Sequence, residues 1–480
     1  MKRLLALVLT VSALSTSCRK IVYDETNNST TNESTILEGK ITANRTLKSG
    51  LTYKLRGLVY VSNNAILTIE PGTKIVGELY KNGGLIICRG SKIIADGSAN
   101  SPIIFTSEAA IPQRGDWAGV VILGNAPTNA SFNGEEGVGE MEGGINNAEG
   151  LGLYGKGLAS NVADNSGILR YVRIEYAGYA FLPDKEINGL TLAGVGNQTI
   201  IDYVQVSFSN DDSFEWFGGT VNCKHLISYR ALDDDFDTDN GFSGTVQFAI
   251  ALRDSAIADI SKSETFESDN DANGSDRKTI FTPTSSLIVP SRTSAVFSNV
   301  TAVGPKATPN TITNSLFLAG AQIRRNSEIS IVNSVFIGWS GGNLKSLLID
   351  GSKGIPTDLN LNPNGGLNFR NNIMVGTTSN AVSYAPSSTM PTGATTASIL
   401  NWVYTSTYGN SIVPENADVN LIAPFNYVNP DFNPISSSSL AASGSSYLGA
   451  KFSELTPVSY RGACNVSDFW WKTWTKYSHQ

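Results

Sequence analysis

The chain has 480 residues, with 46 glycines, only 16% charged residues and a net charge of −7. An acidic balance of that size disfavours nucleic acid as a partner. A long body with few charges and few amphipathic helical stretches points to one elongated all-β unit and away from a set of helical domains.

Lys2 and Arg3 precede an apolar run from Leu4 to Leu14, the small residues Ser15-Thr16-Ser17, and Cys18. Residues 1–17 read as a signal peptide. A cysteine directly after the small residues predicts cleavage before Cys18 and lipidation there, which anchors the protein by acyl chains and not by a span. Cleavage removes Lys2 and Arg3 and no acid, taking the net charge from −7 to −9. Residues 18–37 are this cysteine and a tether rich in Asn, Ser and Thr, too polar to pack. Arg19-Lys20 is not the acidic start of a surface-export signal, and Asp24-Glu25 comes slightly later. The expected address is therefore an outer-membrane lipoprotein, periplasmic or surface-exposed, with surface display preferred. Of the remaining cysteines, Cys88 and Cys223 read as buried fillers in strands, and Cys464 leaves an odd number.

From 38 to 345, apolar runs of four to six residues alternate with Gly, Asn, Asp or Pro-Gly turns, the pattern of short strands. Leu67-Thr-Ile-Glu-Pro-Gly-Thr-Lys-Ile75 is echoed eighteen residues on by Leu85-Ile-Ile-Cys-Arg-Gly-Ser-Lys-Ile93. Phe217-Gly-Gly-Thr-Val221 recurs as Phe242-Ser-Gly-Thr-Val246, and Ile227-Ser-Tyr-Arg230 loosely as Ile250-Ala-Leu-Arg253. Self-similarity at roughly 20–25 residues marks a solenoid, each coil burying its apolar face against its neighbours. With no helices between the strands, the prediction is a right-handed parallel β-helix, its hand following from strand twist, with the apolar residues of both echoed segments facing inward. A β-sandwich is disfavoured by the lack of two-residue hairpin turns. Gly134 to Gly157 read as a flexible acidic insertion. Residues 346–480 read as irregular final coils and an aromatic carboxyl-terminal cap, the run Asp468 to Tyr477 packing over the open solenoid end.

The stretch Leu67 to Gly77, the segments Pro102-Ile-Ile-Phe-Thr-Ser107 and Gly115-Asp-Trp-Ala-Gly119, Asn210 to Gly219, and the closing Tyr460-Arg-Gly-Ala463 and Trp470-Trp-Lys-Thr-Trp474 resemble a large family of exported β-helix proteins. That family is common in Bacteroidetes, and its members are frequently lipoproteins. The resemblance implies the fold and an envelope address, and no established reaction.

Three acidic clusters follow apolar strands: Asn210-Asp211-Asp212-Ser-Phe-Glu215, Asp233-Asp234-Asp235-Phe-Asp237-Thr-Asp239, and Glu267-Ser-Asp269-Asn-Asp271-Ala-Asn273-Gly274. Asp212 and Asp235 are 23 residues apart, about one coil, which would stack them on adjacent rungs about 4.8 Å apart. Carboxylates that close raise one another's pKa unless a cation intervenes, so the stack predicts a bound metal. The candidate ligands are Asp211, Asp212, Glu215, Asp234, Asp235, Asp237, Asp239, Asp269, Asp271 and Asn273. All-oxygen donors favour Ca²⁺, while His225 and His479 are too few and too distant for zinc. Asp269-x-Asp271-x-Asn273-Gly274 matches the first half of an EF-hand loop, although Ile280 stands where its closing Glu would be. The competing account is that these aspartates are solvated turn residues.

Trp216, Arg230 and Arg253 stand beside the clusters as candidate ligand-binding residues, with catalytic residues unassigned. An Arg near calcium-binding aspartates on a parallel β-helix is similar to the site of polysaccharide lyases, although it can equally serve only to pair an Asp. Paired carboxylates among Asp211, Asp212, Asp234 and Asp235 could instead hydrolyse a glycosidic bond. The expected function is an envelope lipoprotein that binds glycan or a partner protein through a calcium-stabilised acidic face; the alternative is a calcium-dependent polysaccharide lyase or glycoside hydrolase.

Overall fold

In the computed structural model, residues 34–79, 82–182, 185–275 and 292–478 are described. Residues 1–33, on which the expected signal peptide, Cys18 and nearly all of the expected tether fall, lie outside them. The first strand, Ile36–Ile41, starts just inside the stretch read as tether, because Leu37 is fully buried and pairs with Leu55.

From there the chain winds as a right-handed parallel β-helix whose ladder runs to Ser411–Val413. Each coil contributes to three sheets. The front sheet contains Gly84–Ile87, Gly119–Leu123, Leu190–Ala193, Phe214–Phe217, Phe236–Asp239, Phe266–Ser268, Ala321–Ile323, Leu347–Asp350 and Val382–Ala385, all parallel. The long strands Gly167–Glu175, Ile200–Ser207, Cys223–Tyr229, Thr245–Leu252 and Val296–Val303 each serve two sheets, the amino-terminal half in a middle sheet and the carboxyl-terminal half in a back sheet.

The bend between those halves falls on a single residue with positive φ: Tyr171, Tyr203, His225, Phe248, Asn299, Asn333 and Asn371 in successive coils. Asparagine tolerates this left-handed region. Bulky residues do so at a cost of order 1–3 kcal/mol unless the surroundings hold them. Here the rings stack, Tyr171 on Tyr203 at 4.4 Å and Tyr203 on His225 at 4.2 Å, so the same column that bends the chain also joins the coils.

The echoed segments pack as expected in the main: Leu67, Ile69, Ile75, Leu85, Ile87 and Ile93 are buried in the central core. Their eighteen-residue spacing is not one coil, however. Leu67 pairs with Ile93 in the middle sheet, and Leu85 pairs with Val59 in the front sheet. The echo repeats a corner, with Gly72 and Gly90 both at positive φ, two sheets further round and one short of a full coil. Ile86 and Cys88 belong to a second cluster on the outside of the front sheet. There Met141, Ile145 and Tyr154 cover them, so the insertion read as flexible is an ordered cover on the first rungs.

The carboxyl-terminal aromatics form no cap over the end of the solenoid. They lie along its flank, because the back sheet is apolar on both faces. Ile227, Tyr229, Ile250, Leu252, Val303 and Ile337 form one buried cluster with Phe432, Leu440, Cys464, Trp471 and Trp474. Asn299 Nδ2 donates to the Tyr460 carbonyl at 2.9 Å and Gln205 Nε2 to the Lys476 carbonyl at 2.8 Å, fixing the segment along successive coils. Cys88, Cys223 and Cys464 are all buried free thiols. Among the described residues no helix is long and apolar enough to cross a membrane.

Candidate functional site

The acidic residues occupy the corner between back and front sheets and the outward positions of the front strands. In Phe214–Phe217, Phe236–Asp239 and Phe266–Ser268 the inward residues Phe214, Trp216, Phe236 and Phe266 fill the core, and alternation turns Glu215, Asp237 and Glu267 outward in one register column. Beside it runs a corner column in which each side chain secures the next coil. Asn188 Oδ1 accepts the Asp212 amide at 3.2 Å, Asp212 Oδ1 accepts that of Asp234 at 2.8 Å, and Asp234 Oδ1 accepts that of Glu264 at 2.6 Å. Gly178, at φ +99°, allows the first corner to close: a Cβ there would lie 2.5 Å from the Asn210 nitrogen.

These columns create three groups of carboxylates, each with ligand oxygens within 4.8 Å of one another: Asp211, Asp212 and Asp233; Asp212, Glu215 and Asp237; and Asp234, Glu264 and Glu267. The first opens into a cleft of about 390 Å³ whose walls include Glu142, Asn210, Glu215, Asp259, Ile260 and Ser261 and, among the described residues, no basic side chain. Ser261 Oγ lies 2.7 Å from both Asp233 Oδ2 and Asp259 Oδ2, and its single O–H is shared between the two walls.

Burial and then neighbouring carboxylates hold Asp212, Glu215, Asp234 and Asp237 well above the ordinary carboxyl range. Burial likewise pushes Asp233 up to about 7, against the hydrogen bond from Ser261. Groups so placed gain either from protons or from a cation. An all-oxygen set with buried oxygens lacking a hydrogen-bond partner, at Asp233 Oδ1, Asp237 Oδ1 and both oxygens of Glu264, fits a hard divalent ion such as Ca²⁺.

The structure sorts the predicted residues. Asp211, Asp212, Glu215 and Asp237 are brought together, and Asp234 joins Glu264 and Glu267 beside them. The stacking offset on this flank is 22 residues and not 23, since Phe214 pairs with Phe236, so the partner of Asp212 is Asp234. Asp235 points inward instead, fully buried, where it accepts a hydrogen bond from Ser228 Oγ and lies 3.3 Å from Arg253 Nη1. Asp239 accepts the Asn240 amide at 2.6 Å and joins none of the three groups.

The half EF-hand does not assemble into a carboxylate group among the described residues. Asp269 is held by Arg324 and Arg325, Asp271 turns back onto the amides of Asn273 and Ser275, and Asn273 is exposed.

Two of the three ligand-binding candidates lie in the core, and the third is held in an ion pair. Trp216 is fully buried, stacked on Phe242, because it alternates inward. Arg253 is equally buried, its guanidinium donating to the carbonyls of Leu232 and Asp233. Arg230 pairs with Asp254 and lies over Phe208 and Tyr427.

Glu264, Glu142 and Asp259 were not legible as site residues. Glu264 stands 30 residues beyond Asp234 because the corner 253–265 is longer than its predecessors. Glu142 arrives on the insertion, and a contact made by an insertion leaves no periodic signal.

Residues 39–397 match the family described as the pectate-lyase like beta helix domain, and no curated protein matches the chain. The match spans about three quarters of the sequence and nearly the whole parallel ladder, so the chain belongs to the pectate-lyase-like β-helix family.

Proposed function

We propose that this protein is a glycan-binding lipoprotein of the cell envelope that works through Ca²⁺ held in the open acidic cleft. The observation that carries the reading is the charge arrangement: among the described residues six carboxylates and no basic side chain line the cleft, while two arginines nearby are already engaged, Arg230 by Asp254 and Arg253 by Asp235. Alone, such a surface repels acidic sugars. With Asp211, Asp212 and Asp233 as ligands, bound Ca²⁺ would present positive charge and open coordination positions to sugar hydroxyls or carboxylates. Ser261 and Asn210 supply hydrogen-bonding edges on the rim. Membership of a pectate-lyase-like family supports a polysaccharide over a protein as the partner, and the leader ending at Cys18 supports the envelope address.

The test is retention of the protein on immobilised acidic and neutral polysaccharides with Ca²⁺ or with chelator. Calcium-dependent retention, lost in Asp211→Asn/Asp233→Asn, is expected. Equal retention under both conditions would overturn the reading, and pull-down of an envelope protein without glycan would replace it by a protein partner.

One observation favours a hydrolytic second reading: oxygens of Asp211, Asp212 and Asp233 lie within 4.8 Å of one another, close to the separation of about 5–5.5 Å at which a carboxyl pair serves as acid and nucleophile in glycoside hydrolysis. Release of new reducing ends, abolished by Asp233→Asn, would establish it. A lyase would release unsaturated products in the same assay.

A further inference from the structure

Glu264 ends the corner column differently from every member before it. Asn188, Asp212 and Asp234 each accept an amide from the following coil. Glu264 is fully buried, and neither of its carboxylate oxygens has a hydrogen-bond partner. Asn188 shows that a neutral side chain performs the column's structural task, so hydrogen bonding alone does not require acids further along it. A buried carboxylate with neither donor nor counter-ion is strongly unfavourable. Nevertheless the Glu264 carboxylate faces two more, those of Asp234 and Glu267.

We infer that Asp234, Glu264 and Glu267 form a closed site for a hard divalent cation, Ca²⁺ by donor type, separate from the open cleft and independent of what the cleft binds. The spacing fits: oxygens within 4.8 Å of one another can share one ion at metal–oxygen distances of about 2.3–2.6 Å. The charge fits as well. Arg324 pairs with Glu267, leaving two carboxylates for a dication to balance. The ion fastens the long corner 253–265 onto the preceding coil, and that corner also carries Asp259 and Ser261 to the cleft wall.

The full chain, stripped with chelator, is titrated with Ca²⁺ alone by calorimetry and followed by thermal unfolding. Wild type is expected to show a tight site that Asp211→Asn/Asp233→Asn retains and Glu264→Gln loses, with at least a tenfold fall in affinity and one fewer ion bound. In chelator Glu264→Gln should melt no lower than wild type, since glutamine removes the charge and keeps the size. Equal stoichiometry and equal calcium response in wild type and Glu264→Gln overturn the site. Stabilisation by Glu264→Gln in chelator, combined with no calcium binding by wild type, also overturns it and assigns the carboxylates a shared proton. If Glu264→Gln fails to fold, Glu267→Gln, at the half-buried edge, reads the same loss. Glycan retention by these variants is scored separately, so failure of the cleft reading leaves this result intact.

Discussion

Arg253 and Asp235 form an ion pair with no exposure on either side chain, inside a polar thread that continues through Ser228 to Ser213 at 2.7 Å. Such a pair adds little by itself, but removal of one member leaves the other charged and buried, at a cost of about 3–5 kcal/mol. Arg253 also grips the carbonyls of Leu232 and Asp233, so it positions the corner that carries Asp233 and Asp234. Arg253→Met should therefore lower unfolding free energy in urea by about that amount, and Arg253→Met/Asp235→Leu should recover much of it.

Titration gives a second residue-scale test. Burial raises Asp233, Asp239 and Glu264 to about 7, whereas unfolded carboxyls titrate near ~4. Between those values the folded state binds more protons, so stability must fall as pH rises. In chelator the urea midpoint should be higher at pH 5 than at pH 8. Saturating Ca²⁺, which competes with the protons of Asp233 and Glu264, should flatten or reverse that slope; an unchanged slope would argue against ions at those two carboxylates.

At the scale of elements, the corners and the flank layer set the architecture. Strand alternation turns Glu215, Asp237 and Glu267 outward, but it is the corner hydrogen bonds from one coil to the next that keep the acids in register. On the opposite side the back sheet depends on the carboxyl-terminal segment for cover. Trp474 is 1% exposed and meets Tyr171 and Tyr203 edge-on at 6.0 and 6.1 Å. Trp474→Ala should cost about 3–5 kcal/mol, as large core truncations do. Proteolysis should then release the segment after residue 440 while the coils stay intact. A terminal cap would instead leave the flank protected and fray the last coils.

For the whole molecule, a solenoid spreads its stability over neighbouring coils, and ions fastened between coils act on the cooperative unit. Binding to the folded state alone stabilises by about 2.7 kcal/mol at a hundredfold excess over Kd, so Ca²⁺ should raise the melting temperature measurably. Asp212→Asn keeps the column hydrogen bond and removes a carboxylate shared by two of the three groups. It should abolish much of the rise, whereas Asp24→Ala, upstream of the first strand, should leave the rise unchanged. A melting temperature insensitive to chelator would return the acids to the role of turn residues.

The solenoid is legible in the sequence, because a coil that buries an apolar face against its neighbours must repeat that face, and the repeats are local and countable. The sequence also pointed to the acids, since three acidic clusters each follow an apolar strand, but it set Trp216 beside them as a ligand-binding residue where alternation turns that ring into the core. Tertiary structure alone decided which acids meet. One residue of register exchanges Asp234 for Asp235 and so turns a surface carboxylate into a core ion pair. A corner lengthened to 253–265 removes Glu264 from any fixed period, and Glu142 comes from an insertion with no repeat. The same holds for the carboxyl-terminal aromatics: their composition demands an apolar partner, but only the fold shows the back sheet to be apolar on both faces, and that is where they lie.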